Sequence, residues 1–270
     1  MTPEPVADLV DLDRYPIHEV ESTAGQSLLD ECRETLKQTG AVRLEGFVRP
    51  RAVAELTEAA ARLAPLGFPN DDTHTVYFED VDEALPADDP RRLLVRSAQK
   101  AVAMDLLPED FGVRRLYAWD GLTRFVAAAL GKDVLYRSDD PLDGCNVTVY
   151  EAGDELGWHF DRSEFSVTLM IQPAERGGMF EYVPALRTPA DPRYEAVRAV
   201  LAGGRTDVIE LPSHPGTLAF FRGRYALHRV TPVEGSRPRL NSVLTYASEP
   251  GHRLNPLTAA LFYGRGGSDN

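Results

Sequence analysis

Gly153-Asp154-Glu155-Leu156-Gly157-Trp158-His159-Phe160-Asp161 is the stretch that decides how the chain is read. A glycine-containing turn leads into residues with the texture of a strand. On a strand, residues i and i+2 point to one face, so His159 and Asp161 both reach a single ion. They offer a neutral imidazole nitrogen and a hard carboxylate oxygen. A second, distant histidine completes a facial set that leaves coordination positions open. His228, in Gly223-Arg224-Tyr225-Ala226-Leu227-His228-Arg229-Val230, is the natural candidate. A His-x-Asp pair alone is a weak signal, because six histidines among 42 acidic residues produce one by chance. Context strengthens it. An apolar strand follows Asp161, and Arg239 opens the final apolar strand, eleven residues after His228. An arginine is out of place there unless it meets an anion, and its fork suits a carboxylate.

Working outward, short strands separated by turns run from Asp133 onward, over 133–137, 145–151, 165–172, 179–184, 207–211, 217–221, 226–231 and 240–247. Such a series predicts an antiparallel sandwich or jelly roll. One interruption, Arg187 to Gly204, contains the helical pattern Tyr194–Leu201 and is expected to act as a lid over a site. Upstream, apolar spacing predicts helices over Gln26–Gln38, Arg51–Leu66 and Val113–Leu130, and alternation predicts a short strand at 41–47. The Asp- and Pro-rich residues 69–93 read as an irregular loop. The expected organisation is one α+β domain over 1–270: a mainly helical part (1–132), a β part (133–250) with an insert (187–204), and a tail (251–270).

The composition excludes several classes. The 270 residues are 43% hydrophobic and 26% charged, which is globular and not disordered. No apolar run approaches the roughly 18–20 residues of a membrane span, so no membrane partner is expected. The start, Met1 to Asp8, has neither the basic nor the apolar region of a secretory signal. A net charge of −13 repels phosphate backbones, and the pairs Arg91-Arg92 and Arg114-Arg115 are too short for a nucleic-acid patch. Two cysteines, Cys32 and Cys145, make no disulfide framework and fit a reducing, cytoplasmic setting. A diffusible small-molecule substrate is expected, and the oligomeric state is left open.

The pattern resembles the Fe(II)/2-oxoglutarate-dependent oxygenases, whose double-stranded β-helix (jelly-roll, cupin-like) core carries His-x-Asp, a distal His and a following Arg. Asn146–Asp154 resembles the strand and turn leading into the first ligand pair, and Gly177–Tyr182 and Pro215–Phe221 resemble later strands. Trp158–Asp161, Gly178–Pro184, Gly223–Pro232 and Leu85–Arg92 are similar to a bacterial subgroup of free amino-acid hydroxylases and halogenases. The resemblance implies that His159, Asp161 and His228 bind Fe(II) and that Arg239 holds the far carboxylate of 2-oxoglutarate, with dioxygen as the other co-substrate. Arg237 is a rival, separated from the strand by Pro238. Halogenases of the subgroup replace the acid of the triad by a small residue; here Asp161 fills that position. The implied reaction is therefore hydroxylation of an unactivated C–H in a small polar substrate, an amino acid or a derivative. Alternatives are desaturation, cyclisation or halogenation by the same centre, a zinc hydrolase on the same ligands, or a non-catalytic ligand-binding β-helix.

Other residues near the motif are weighed against plainer roles. Trp158 and Phe160 are expected to pack on the opposite sheet face. Asn146 and Tyr150 share one face of a strand, and Asn241 and Thr245 are polar on an apolar strand; each is a candidate for substrate contact or for a structural hydrogen bond. Arg162 either meets a substrate carboxylate or pairs with Glu164. His74 falls in a segment expected to cover the site, and His18, His214 and His252 have no partner at ligand spacing.

Overall fold

The computed structural model describes residues 5–265. Helix α1 (Thr23–Thr39) is opened by Ser22, whose side-chain oxygen accepts from the Gly25 N–H at 3.0 Å, satisfying a donor that a helix start leaves free. Gly40, at φ 77°, closes it in a left-handed conformation that costs glycine little. β1 (Ala41–Leu44) follows, and Pro50 opens α2 (Pro50–Leu63) where a missing N–H is harmless. β2 (Phe68–Thr75) and β3 (Leu94–Val102) pair antiparallel. Then come α3 (Gly112–Ala118) and α4 (Asp120–Ala129). The single helix expected over Val113–Leu130 is broken at Trp119, which is extended; its indole lies over Gly121, where a Cβ would collide with the ring.

The β-rich part contains β4 (Tyr136–Arg137), β5 (Val147–Tyr150), β6 (Glu155–His159), β7 (Ser166–Gln172), β8 (Arg176–Gly177) and β9 (Phe180–Val183). Helix α5 (Tyr194–Leu201) precedes β10 (Ile209–Leu211), β11 (Leu218–Phe221), β12 (Leu227–Val230), β13 (Val233–Glu234), β14 (Arg239–Leu244) and β15 (Tyr246–Ala247). The tail contributes α6 (Pro256–Tyr263), and its last residues, 266–270, lie outside the described ones.

One antiparallel sheet curls into a jelly roll in the order β1-β11-β7-β14-β5-β3-β6-β12-β9-β10, with β2 on β3; β13-β8 and β15-β4 are separate two-stranded pairs. β3 joins the two halves: on the edge opposite β2 it pairs with β6 at Ser97 and Ala98 and then with β5 from Lys100 to Val102. The expected irregular loop over 69–93 thus starts as strand, over 69–75, before it turns irregular, and the nominally helical first 132 residues supply the strand that closes the roll. β2 was disguised by Pro69 and three polar residues after it, which read as turn chemistry.

Strand parity sorts the side chains. On β7, Val167, Leu169 and Ile171 face the helices, as do Leu218 and Phe220 on β11 and Leu240 and Leu244 on β14. Against them pack Leu29, Cys32 and Leu36 of α1, Leu56 and Ala60 of α2, and Leu122, Phe125 and Val126 of α4. The alternate residues, Ser166, Thr168, Met170, Ala219, Phe221, Arg239, Asn241 and Val243, line a cavity between the two halves. Both cysteines are buried and unpaired. Among the described residues no helix is long and apolar enough to cross a membrane.

Candidate active site

His159 ends β6 and His228 lies on β12, directly opposite in the register. Their rings stand 4.1 Å apart between centroids. Each ring is oriented the same way. His159 Nδ1 lies 2.8 Å from the Gly157 carbonyl and His228 Nδ1 2.9 Å from the Ala226 carbonyl. A carbonyl only accepts, so both Nδ1 atoms donate and both Nε2 atoms present lone pairs. Asp161 Oδ1 lies 3.5 Å from one Nε2 and 3.4 Å from the other. The ligand atoms of these three residues lie within 4.8 Å of one another, the dimension of a shared ion site.

Burial of His159, together with the charge of His228, pulls its pKa below the usual imidazole value, which favours the neutral form a metal needs. Burial works to raise the Asp161 carboxyl, but His228 and His159 outweigh it and hold it well below the ordinary carboxylate range. Phe180 and Phe221 pack on the His228 ring at 5.6 and 4.9 Å. Trp158 and Phe160 point the other way, into a separate cluster with Val76 and Val197, as their parity requires.

The cavity beside the triad measures about 120 Å³ and contains one cation, Arg239, and one carboxylate, Asp161, among its lining residues. Arg239 is 4% exposed, and among the described residues its Nε has no hydrogen-bond partner and no carboxylate lies at ion-pair distance. Its guanidinium sits 5.2 Å from the Tyr150 ring centroid. A buried cation without a counter-charge is costly, and this one lies in the wall of the cavity beside the triad. Thr217, on the adjoining strand end, adds a buried hydroxyl with no partner to the same wall. Its parity with Ala219 and Phe221 was the sequence signal for it.

The remaining candidates divide. Asn241 and Tyr150 line the cavity, and so does Thr148. Asn146 does not: its amide nitrogen donates to the Tyr263 hydroxyl at 3.0 Å and its oxygen accepts from the Val243 N–H at 3.2 Å. Thr245 lies past the end of β14, its carbonyl taken by the Tyr117 hydroxyl at 2.6 Å. Arg162 is exposed and donates to the Phe78 carbonyl at 3.0 Å, while Glu164 pairs with Lys132. Arg237 is exposed and donates to the Ala174 carbonyl, away from the cavity. His74 belongs to β2 and not to a loop; its Nε2 is 2.6 Å from Ser97 Oγ, which accepts the Gly157 N–H at 3.0 Å.

The insert does not lie over the cavity. Val197 of α5 is fully buried against Trp158, Phe160 and Val76 on the outer side of β6. Arg91 caps Tyr194 at 4.2 Å from its ring centroid, and Arg198 pairs with Asp88. α5 therefore braces residues 76–93 against the back of β6, and the expected lid is a buttress.

Solved structures share this architecture. They include an oxidoreductase of the 2OG-Fe(II) oxygenase family from Burkholderia pseudomallei, 17% identical with a TM-score of 0.53 over 83% of this chain and 92% of that one. AviO1 from Streptomyces viridochromogenes is 19% identical with a TM-score of 0.57 over 83% and 96%. The epimerase SnoN, solved with Fe3+, α-ketoglutarate and nogalamycin RO, is 16% identical with a TM-score of 0.52 over 82% and 84%. No curated protein matches. Fold and site together define the class, an Fe(II)- and 2-oxoglutarate-dependent oxygenase. The model of one family, halogenase D, matches residues 24–259, and the chain belongs to that family.

Proposed function

We propose that the protein hydroxylates an unactivated C–H bond of a small polar substrate, an amino acid or a derivative. In this reading His159, Asp161 and His228 hold Fe(II), and Arg239 holds the far carboxylate of 2-oxoglutarate. The donor set fits the metal: two neutral imidazoles and one carboxylate on one side, with the other side facing the cavity. Bound Fe(II), with 2-oxoglutarate and dioxygen, supplies oxidative decarboxylation coupled to hydrogen-atom removal and hydroxylation. The chain's residues do the rest. The Gly157 and Ala226 carbonyls fix the imidazole tautomers, Arg239 neutralises and orients the co-substrate, and the apolar wall of Phe180 and Phe221 excludes water.

The observation that carries hydroxylation is the Asp161 carboxylate itself, seated between the two Nε2 atoms. It occupies the place where a halogenase keeps a small residue, so no protein-side position remains for a halide. The family match favours halogenation as the second reading. The test is succinate release from 2-oxoglutarate across a panel of amino acids with Fe(II) and ascorbate, and mass analysis of products with and without chloride. Oxygenated product unaffected by chloride is expected. A chlorinated product sinks the reading, and so does the absence of substrate-stimulated succinate release.

A further inference from the structure

The two oxygens of Asp161 have different neighbours. Oδ1 faces the histidine nitrogens at 3.5 and 3.4 Å. Oδ2 is turned away and accepts a hydrogen bond from Ser166 Oγ. Ser166 is the first residue of β7 and stands in register with Phe221 at the end of β11, so its hydroxyl rides on a paired strand. Two residues beyond Phe221, the Gly223 carbonyl accepts the Asp161 N–H at 3.1 Å, and a Cβ on Gly223 would collide with Oδ2. Asp161 itself lies past β6, which ends at His159. The ladder that orients His159 therefore does not orient the acid.

We infer that Ser166 is a positioning residue for the metal centre: its hydroxyl holds Oδ2 so that Asp161 offers the metal Oδ1 alone, with Gly223 leaving room for that rotamer. The inference rests on the reading of the triad as the metal site. A carboxylate released from Ser166 turns about its side-chain torsions, and its preorganisation as a ligand is lost. Outer partners of this kind typically change metal affinity about 10–100-fold.

Co(II), added to the full-length metal-free protein, is a suitable probe, read by competition with a chromophoric chelator and by its visible spectrum. Ser166→Ala is expected to weaken Co(II) binding about tenfold and to alter the band shape. Ser166→Thr, which keeps the hydroxyl, restores both. The melting temperature of the metal-free Ala variant stays at the wild-type value while its metal-induced rise shrinks. Wild-type Co(II) affinity in Ser166→Ala overturns the inference, as does an equal loss of stability with and without metal, or a Thr variant that folds and is not rescued. Asp161→Ala separates the two levels. If it also leaves Co(II) binding intact, the triad reading fails; if it abolishes binding and Ser166→Ala does not, Ser166 alone is wrongly assigned.

Discussion

At the scale of single residues, Arg239 makes a prediction of two opposite signs. Its guanidinium is buried, burial pulls its pKa down, and the Tyr150 ring is its nearest electrostatic relief. Replacing a buried unpaired charge by an apolar side chain of similar length is stabilising. Arg239→Met is therefore expected to raise the melting temperature of the ligand-free protein by a few degrees, since about 1 kcal/mol moves a domain of this size by roughly 2–4 °C. The same variant loses the rise that 2-oxoglutarate gives the wild type, and its KM for the co-substrate climbs about 100-fold. Differential scanning with and without 2-oxoglutarate reads both; a ligand-free variant less stable than wild type contradicts the orphan-cation account. The sequence made this residue legible because a cation in an apolar strand is anomalous. It made Asn146 and Thr245 look equivalent, and parity alone was the reason. Thr148 and Tyr150 on one strand, and Arg239, Asn241 and Val243 on the other, do face the cavity. Asn146 and Thr245 continue those rows past the cavity's end, and alternation carries no information about depth. Ser166 and Gly223 were unreadable for a different reason: their role exists only once the start of β7 and the distant turn after β11 meet at Asp161.

At the scale of elements, α5 shows how an insertion can be read correctly as a helix and wrongly as a lid. Its apolar stripe was visible, but which surface it covers depended on β6 and the residue after it, whose outward side chains Trp158 and Phe160 supply the matching face. Val197, with no exposed surface, is the centre of that contact. Val197→Ala is expected to cost about 2 kcal/mol by the transfer and cavity terms of a buried apolar truncation. Urea unfolding measures it, and the affinity for 2-oxoglutarate stays unchanged because Val197 does not line the cavity. A variant with wild-type stability and altered co-substrate affinity would restore the lid. The hairpin of β2 and β3 is the complementary case. Tertiary pairing overrode local chemistry: eight residues rich in Asp, Asn, Thr and Pro hold a strand because β3 offers them a full ladder. β3 has Ala98, Ala101 and Val102 buried, and its place, bridging from β6 to β5 along one edge, is fixed by closure of the roll. No local pattern encodes that place.

For the whole molecule, stability depends on how the C-terminal segment is fastened to the roll, and the fastening is titratable. Asp140 accepts the Leu254 N–H at 3.1 Å, the Asp139 N–H donates to the His252 carbonyl at 2.9 Å, and Tyr263 of α6 receives the Asn146 amide. Asp143 lies inside this junction, 3.9 Å from His252 Nε2, with 15% of its side chain exposed. Burial pushes its carboxyl up to about 7, the neighbouring Asp140 adds to the rise, and Thr245 and Tyr263 pull part of it back. The folded value stands above the unfolded one of 3.8. The folded state therefore binds the proton more tightly, and this contribution is fully present below pH 4 and is lost as pH rises through 7. A shift of this size corresponds to about 4 kcal/mol. Asp143→Asn removes the ionisation while keeping the shape, so the variant is expected to match wild type only below about pH 4 and to exceed it in stability by a margin that widens from pH 5 to pH 8. Taking the difference between the two stability curves cancels the opposite trend of His159, whose depressed pKa favours folding as pH rises. Paired urea titrations of the metal-free proteins from pH 5 to 8 give that difference directly. A difference that stays flat across the range, or grows toward pH 5, would mean that Asp143 is already ionised and satisfied in the folded chain.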